Sequence, residues 1–392
     1  MTNRFIKKFK KPFFYEGNIK KVKDISFILI ISILSIIMWF NLNHFHPNNI
    51  VNFLEDKISS MGRGNGFPYD ISNHKIKNNN FTLYGGNVLF LSDNSFVALN
   101  NSAKQICVKN HNFSNPSFRY NGGRFIIYDV GGNDYRIDTL SRTLYKSSYE
   151  NKIICCGISE SGTYALITDS KDFLSEMTVY NGSNREIYKY YFANKCVSDV
   201  AVSDNSKTLS TCGFYTKEGV LTSFVYIHDL KSEEPKYQFE FDDNMLFFIR
   251  YFSNDNIVVV GDKKVSILNS RTGSKKDIEY DKKILSCFDF DKDHGIVYNI
   301  LPTNSGQNSE IILIGIDGSV TAKVSSDTKF QSVSYKGGKI AALSENQIYV
   351  YNISGNLDGI FDTSSISKSI KLASPSKVYV MQENKIYDIS LK

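Results

Sequence analysis

The sequence predicts an all-β protein, an eight-bladed β-propeller set behind one transmembrane helix and a short helical linker. Three observations predict it. A long uncharged apolar run near the N-terminus has no equal in the chain. A unit of a tight turn followed by an apolar strand recurs eight times behind it. The last unit is one strand short, and a spare strand-like stretch precedes the first.

Residues 1–24 carry eight basic residues (Arg4, Lys7, Lys8, Lys10, Lys11, Lys20, Lys21 and Lys23) against Glu16 and Asp24. The next 16 residues, Ile25 to Phe40, hold no charge, Pro or Gly. As a helix they span roughly 24 Å, near the lower limit for a bilayer core of about 30 Å, and Leu42 extends them. Only Ser26, Ser32 and Ser35 interrupt the apolar surface, whereas a surface helix of a globular protein keeps a polar stripe. No small-residue cleavage site follows: the chain reads Asn41-Leu42-Asn43-His44-Phe45-His46-Pro47, so the segment reads as a retained anchor and not a cleaved signal. Trp39, the single tryptophan, suits the outer interface. The basic tail places the N-terminus in the cytoplasm and the rest of the chain outside. Removing the tail's eight basic and two acidic residues from the chain's 46 and 40 leaves 38 of each. The exported part is therefore neutral, which argues against a nucleic-acid-binding domain. The partner expected at residues 25–42 is the lipid bilayer; "RFIKKFKKPFF" in the tail reads first as a topology determinant, with contact to anionic headgroups as the alternative.

The linker, residues 43–65, contains "PNNIVNFLEDKISSMG" (Pro47 to Gly62). Its apolar residues Ile50, Val51, Phe53, Leu54 and Ile58 recur at helical spacing. Asn48 or Asn49 caps the expected helix and Gly62 suits its end.

Residues 66–392 are repetitive. The recurring turn-and-strand units are "GGNVLFL" (from Gly85), "GGRFIIY" (Gly122), "SGTYALI" (Ser161), "NSKTLST" (Asn205), "NDNIVVV" (Asn254), "HGIVYNI" (His294), "GGKIAAL" (Gly337) and "PSKVYVM" (Pro375), at steps of 37, 39, 44, 49, 40, 43 and 38 residues. That is the period of four-stranded propeller blades. A strand precedes each turn ("IICCGIS", "VSDVAVS", "LSCFDF"), a third follows ("NSFVALN", "SEMTVYN", "NQIYVYN"), and a more polar fourth comes after ("KQICVKN", "PKYQFEF"). Val-, Ile-, Tyr- and Phe-rich strands divided by Gly, Asn, Asp and Ser turns are what an all-β architecture requires. The eighth unit ends after its third strand at Leu391, and "GFPYDISNHKIKN" (Gly66 to Asn78) stands spare ahead of the first. Using that stretch as the outer strand of the last blade closes the ring without an unpaired edge. Seven blades is the alternative.

"GRGNGFPYDI" (Gly62 to Ile71), the preceding "NNIVNFLEDKI" and "KSEEPKYQFEF" (Lys231 to Phe241) are similar to a Gram-positive family of single-pass membrane-anchored propeller proteins catalogued as a domain of unknown function. The resemblance covers nearly the whole chain and implies one cytoplasmic tail, one anchor and one extracytoplasmic propeller. It implies no activity and supplies no catalytic residue.

Chemical motifs are few. The histidines (His44, His46, His74, His111, His228 and His294) show no metal-binding spacing, and neither a nucleophile elbow nor a phosphate loop is present. Cys107, Cys155, Cys156, Cys196, Cys212 and Cys287 all fall in expected strands and read as free, buried thiols. Adjacent Cys155 and Cys156 point to opposite faces of their strand. "DFDKDHG" (Asp289 to Gly295) has His294 and Ile300 where a calcium loop needs Gly and Glu, and reads as a hairpin turn. A quinone cofactor is not expected, because the blades lack the tryptophans with which quinoprotein propellers dock; no cofactor or metal is expected.

One constellation remains. An acid follows the second strand in six units: Asp93, Asp129, Asp169, Asp262, Glu345 and Glu383. Equivalent positions share one face of a propeller, so these acids form a partial ring able to draw a cation or a basic partner. Turn preference for Asp and Glu is the plainer account. The function expected is an anchored extracytoplasmic binding or scaffold module for a protein or cell-envelope ligand, without catalysis. The alternative is an extracytoplasmic hydrolase or lyase acting on glycans over the channel, which needs converging groups of separated pKa.

Overall fold

The computed structural model describes residues 25–29, 31–32, 35, 55–252, 255–303 and 308–391. The chain divides into two units, residues 1–47 and 48–392. In the first, the described residues 25–29, 31–32 and 35 are helical and exposed. No helix among the described residues is long and apolar enough to cross a membrane, and the rest of the span expected over residues 25–42 lies outside them, as does the basic tail. Of the linker helix expected from Pro47 to Gly62, Glu55–Ser59 is helical; residues 47–54 lie outside the described set.

The second unit is an eight-bladed propeller of eight four-stranded antiparallel sheets. The first strands of blades 1 to 8 are Ile76–Tyr84, Pro116–Asn121, Ile153–Ile158, Cys196–Val202, Leu246–Tyr251, Ile284–Asp291, Ser332–Lys336 and Ser369–Ser374. They meet first strands of neighbouring blades around the axis and so line the channel. The closing strand is Tyr69–Asp70, which pairs with Ile386 and Lys385 as the outer strand of blade 8. It is shorter than the Gly66–Asn78 stretch expected for this role. Asp70 Oδ1 accepts the Ser72 N–H at 2.8 Å, turning the chain, and from Ile76 the residues already belong to blade 1.

Each blade is apolar on both faces because both are covered. Its second strand is almost wholly buried, as in Asn87–Ser92 and Tyr164–Thr168, whereas fourth strands such as Gln105–Asn110 alternate toward solvent. Eight apolar clusters fill the eight gaps between adjacent blades. Phe, Tyr, Ile and Val do this packing, for example Phe96 against Phe125 at 5.1 Å and Phe192 against Phe224 at 6.0 Å between ring centroids. Cys155 enters the cluster between blades 3 and 4, and Cys156 the one between blades 2 and 3, as strand alternation requires. All six thiols are free.

In an up-and-down blade, the hairpins joining strands one to two and three to four lie on one face. The hairpins joining two to three, and the crossings to the next blade, lie on the opposite face. The linker docks on the first of these, here called proximal. Asn100 Nδ2 donates to the carbonyls of Ser60 (3.1 Å) and Gly62 (2.9 Å), and Lys104 Nζ to that of Met61 (2.7 Å). Asn87 Nδ2 donates to Ser60 Oγ at 3.2 Å, and Ser141 Oγ to Glu55 at 2.8 Å. The other face, here called distal, is not covered by the described linker.

Candidate functional site

Two features define the channel: charges that cross it, and bulges that turn residues toward its distal mouth. Charges appear midway along otherwise apolar first strands. Asp199, buried on blade 4, is held by Arg250 Nη1 of blade 5 at 2.6 Å and Arg119 Nη2 of blade 2 at 3.4 Å, and accepts the Ile249 N–H at 3.2 Å. Arg250 also lies over the Phe248 ring, 4.5 Å from its centroid. Lys371 of blade 8 pairs with Asp289 of blade 6. At the proximal mouth Lys292 of blade 6 crosses the channel to Asp204 (2.9 Å) and Glu160 (3.3 Å) of blades 4 and 3, and reaches Asn121 of blade 2 at 3.5 Å. Burial alone pushes the Lys292 ammonium down, but the two carboxylates outweigh it and hold it above the usual lysine range. Beside it Asp291 bonds Lys336 (3.1 Å) and His294 (2.8 Å). Burial pushes its carboxyl up, yet these partners bring it below the ordinary value. The proximal mouth is thus bridged by paired charges.

The distal half is different. In blades 3, 4, 5 and 6 the first strand carries a one-residue bulge near its start, which leaves Ile154, Ser198, Phe247 and Ser286 outside the ladder. In blade 1 the register jumps from Ile76–Ser92 to Phe81–Phe90, so Lys77 to Asn80 oppose Leu91 alone. Bulges re-aim side chains and gather beside functional sites. Lys77, Asn78, Asn79, Phe247, Ile284 and Ser286 are all exposed, and on an innermost strand exposure means facing the channel or its mouth.

The six acids anticipated from the repeat do share the distal face, but four are tied into the backbone. Asp93 Oδ1 accepts the Lys75 N–H (3.2 Å), Asp169 Oδ1 that of Lys152 (2.8 Å), and Asp262 Oδ1 that of Met245 (2.6 Å). Asp129 accepts two, from Asn115 at 2.6 Å and Ser114 at 3.1 Å. Each clasps the strand-two-to-three hairpin to the crossing that enters the same blade. Glu383 pairs with Lys368, and Glu345 is exposed, its carbonyl accepting the Ser367 N–H at 3.1 Å. The "DFDKDHG" stretch is the first hairpin of blade 6. No group of three or more His, Cys, Asp or Glu is arranged to hold a metal among the described residues.

The channel charges and bulges escape the sequence search because each is one residue inside a strand whose neighbours read as core. The available signal was an in-phase one: Arg119, Asp199, Arg250, Asp289 and Lys371 all stand inside first strands.

The fold and this channel define a propeller of the closed, eight-bladed class, with a bridged proximal mouth and a distal face that the described linker residues do not cover. The chain belongs to a family of unknown function, DUF5711, whose model matches residues 69–391. Its fold is similar to the C-terminal WD40 domain of Sif2, at TM-score 0.57 and 11% identity, covering 81% of this chain and 99% of that one. It is also similar to BamB from Moraxella catarrhalis, at TM-score 0.50 and 9% identity, covering 82% and 100%. At these identities the likeness is one of fold. No curated protein matches the chain in sequence.

Proposed function

We propose that this protein is a membrane-anchored binding or scaffold module without catalysis of its own. Residues 25–42 hold it in the bilayer of a Gram-positive cell, the basic tail stays in the cytoplasm, and the propeller stands outside. The observation that carries the binding reading is the distal face. Exposed apolar residues run there over consecutive blades: Phe173 and Leu174 on blade 3, Val220 and Leu221 on the long hairpin of blade 4, then Met245 and Phe247 leading into blade 5. Phe173 packs at a tilt against Tyr191, with centroids 4.8 Å apart and ring planes at 33°, which holds its ring in place. A surface of this kind marks an interaction site. The channel favours binding over catalysis for a separate reason: the carboxylates described in it are engaged with cations, and catalysis needs a titratable pair held at separated pKa.

A crosslinking pulldown on intact cells tests the reading, using the tagged full-length chain. Phe173→Asp with Leu221→Asp should abolish capture of an envelope partner. The set Asp93→Asn, Asp129→Asn, Asp169→Asn and Asp262→Asn reports whether the distal acids contribute. A partner that survives both sets of changes places the interaction elsewhere and overturns the distal-face assignment.

A further inference from the structure

The bulged first strands place unlike chemistries around one mouth. On the side of blades 5 and 6 the wall is apolar: Phe247 is 40% exposed and Ile284 55%. Behind them Phe288 packs against Phe247 at 6.3 Å and edge-on to Phe248 at 5.0 Å, which fixes the rings in place. Blade 1 stands across the ring from blade 5 and offers the exposed amides of Asn78 and Asn79. Its bulge is anchored from behind, where Asn80 Nδ2 donates to the Pro116 carbonyl at 3.1 Å and Lys77 bonds Asn115. Ser286 adds a hydroxyl, which donates to the Phe330 carbonyl at 2.9 Å and keeps its acceptor lone pairs. Deeper in the channel Asp199, Asp289 and Asp291 are matched by Arg119, Arg250, Lys371 and Lys336. The floor offers a charged ligand no unmatched partner among these groups.

We propose that this mouth is a binding site for an uncharged oligosaccharide. A pyranose ring has an apolar C–H face and a rim of hydroxyls. The first suits a fixed phenyl ring, and the second suits side-chain amides, which both donate and accept. The paired floor fits a ligand with no net charge. The inference rests on the distal face being the ligand face and names the ligand class it takes.

The test is isothermal titration of the full-length chain in detergent with cellotetraose, chitotetraose and maltotetraose as probes. At least one should bind. Phe247→Ala should then weaken binding about tenfold, the size of one aromatic contact, while Phe247→Tyr retains it. Asn78→Ala with Asn79→Ala should weaken it as well, and Ile187→Ala, exposed on the outer strand of blade 3, should leave it unchanged. Melting curves confirm that each variant is folded; Phe247 is exposed and its loss opens no core cavity. No heat with any probe overturns the proposal, and so does binding indifferent to Phe247→Ala. If sugar binding fails while partner capture persists, the sugar site falls and the binding module stands.

Discussion

Two buried titratable residues set opposite pH responses. Asp56 sits in the linker helix where it meets blades 1 and 2, is 7% exposed, and has no hydrogen-bond partner for Oδ1. Burial raises its carboxyl to about 7, with Glu55 adding to the rise and the Leu140 N–H and Lys109 opposing it. A carboxyl raised on docking favours the docked linker at low pH. Docking is strongest below about pH 4, weakens as pH climbs toward 7, and stays weak above it, by on the order of 2 kcal/mol after allowing for partial solvent access. The protection factors of the Gly64 and Gly66 amides, whose N–H groups bond to Ser102, should be higher at pH 5 than at pH 8 once the intrinsic base catalysis of exchange is divided out. Asp56→Asn should remove most of that difference. His228 acts in the other direction. It is fully buried between blades 3 and 4, with Nδ1 3.1 Å from the Tyr188 hydroxyl and Nε2 unpartnered, and burial pushes its imidazole down to about 3. A depressed base contributes stability above its ordinary value of 6.5, and that stability is lost as pH falls toward 3, by about 5 kcal/mol at most. Thermal melts from pH 7 to pH 4 should show the loss, and His228→Phe should flatten it.

At the scale of strands and hairpins, the Asp clasps give a direct test of what the repeat's acids do. Asp129→Ala removes two charge-assisted bonds to backbone N–H groups and should cost about 1–3 kcal/mol in denaturant unfolding. Asp129→Asn keeps an acceptor oxygen and should cost less. An unchanged midpoint for Asp129→Ala would show that the clasp is dispensable. The same elements show what was legible beforehand. Blade number, the phase of the strands and closure by an N-terminal strand all follow from a period of about 40 residues, because turn chemistry and strand alternation repeat wherever the architecture does. The shortness of the closing strand was hidden. "YDISNHKIKN" reads as one strand until Asp70 turns the chain at Ser72. The bulges were hidden as well, since Phe247 or Ser286 leaves the ladder through its pairing with another strand, and no local pattern records that. The shared face of the six acids was legible, but not the N–H groups that four of them clasp, which come from the crossing some 15 residues earlier.

For the whole molecule, the question is what holds a ring of eight blades to one diameter. Each blade packs only on its neighbours, so small changes at every interface add up around the ring. Two devices oppose that drift. The closing strand joins the ends, although only Tyr69 and Asp70 pair, and Ile71, buried in the cluster between blades 8 and 1, reinforces them. The cross-channel charges act along chords: Lys292 ties blade 6 to blades 3 and 4 while also reaching blade 2, and Arg119 ties blade 2 to blade 4. A partly buried pair of this sort contributes little net energy over an apolar replacement, but removing one member leaves its partners uncompensated. Lys292→Met should therefore destabilise the propeller by roughly 2–4 kcal/mol, because Glu160 and Asp204, on neighbouring blades, lose the cation they share. Adding Glu160→Gln and Asp204→Asn to Lys292→Met should recover most of that loss, since the stranded charges are gone. Recovery in chemical denaturation would show that the channel charges set the geometry of the ring and not its net stability. If the triple variant is as unstable as Lys292→Met, the chord itself supplies the energy, and the ring depends on it as it depends on its closing strand.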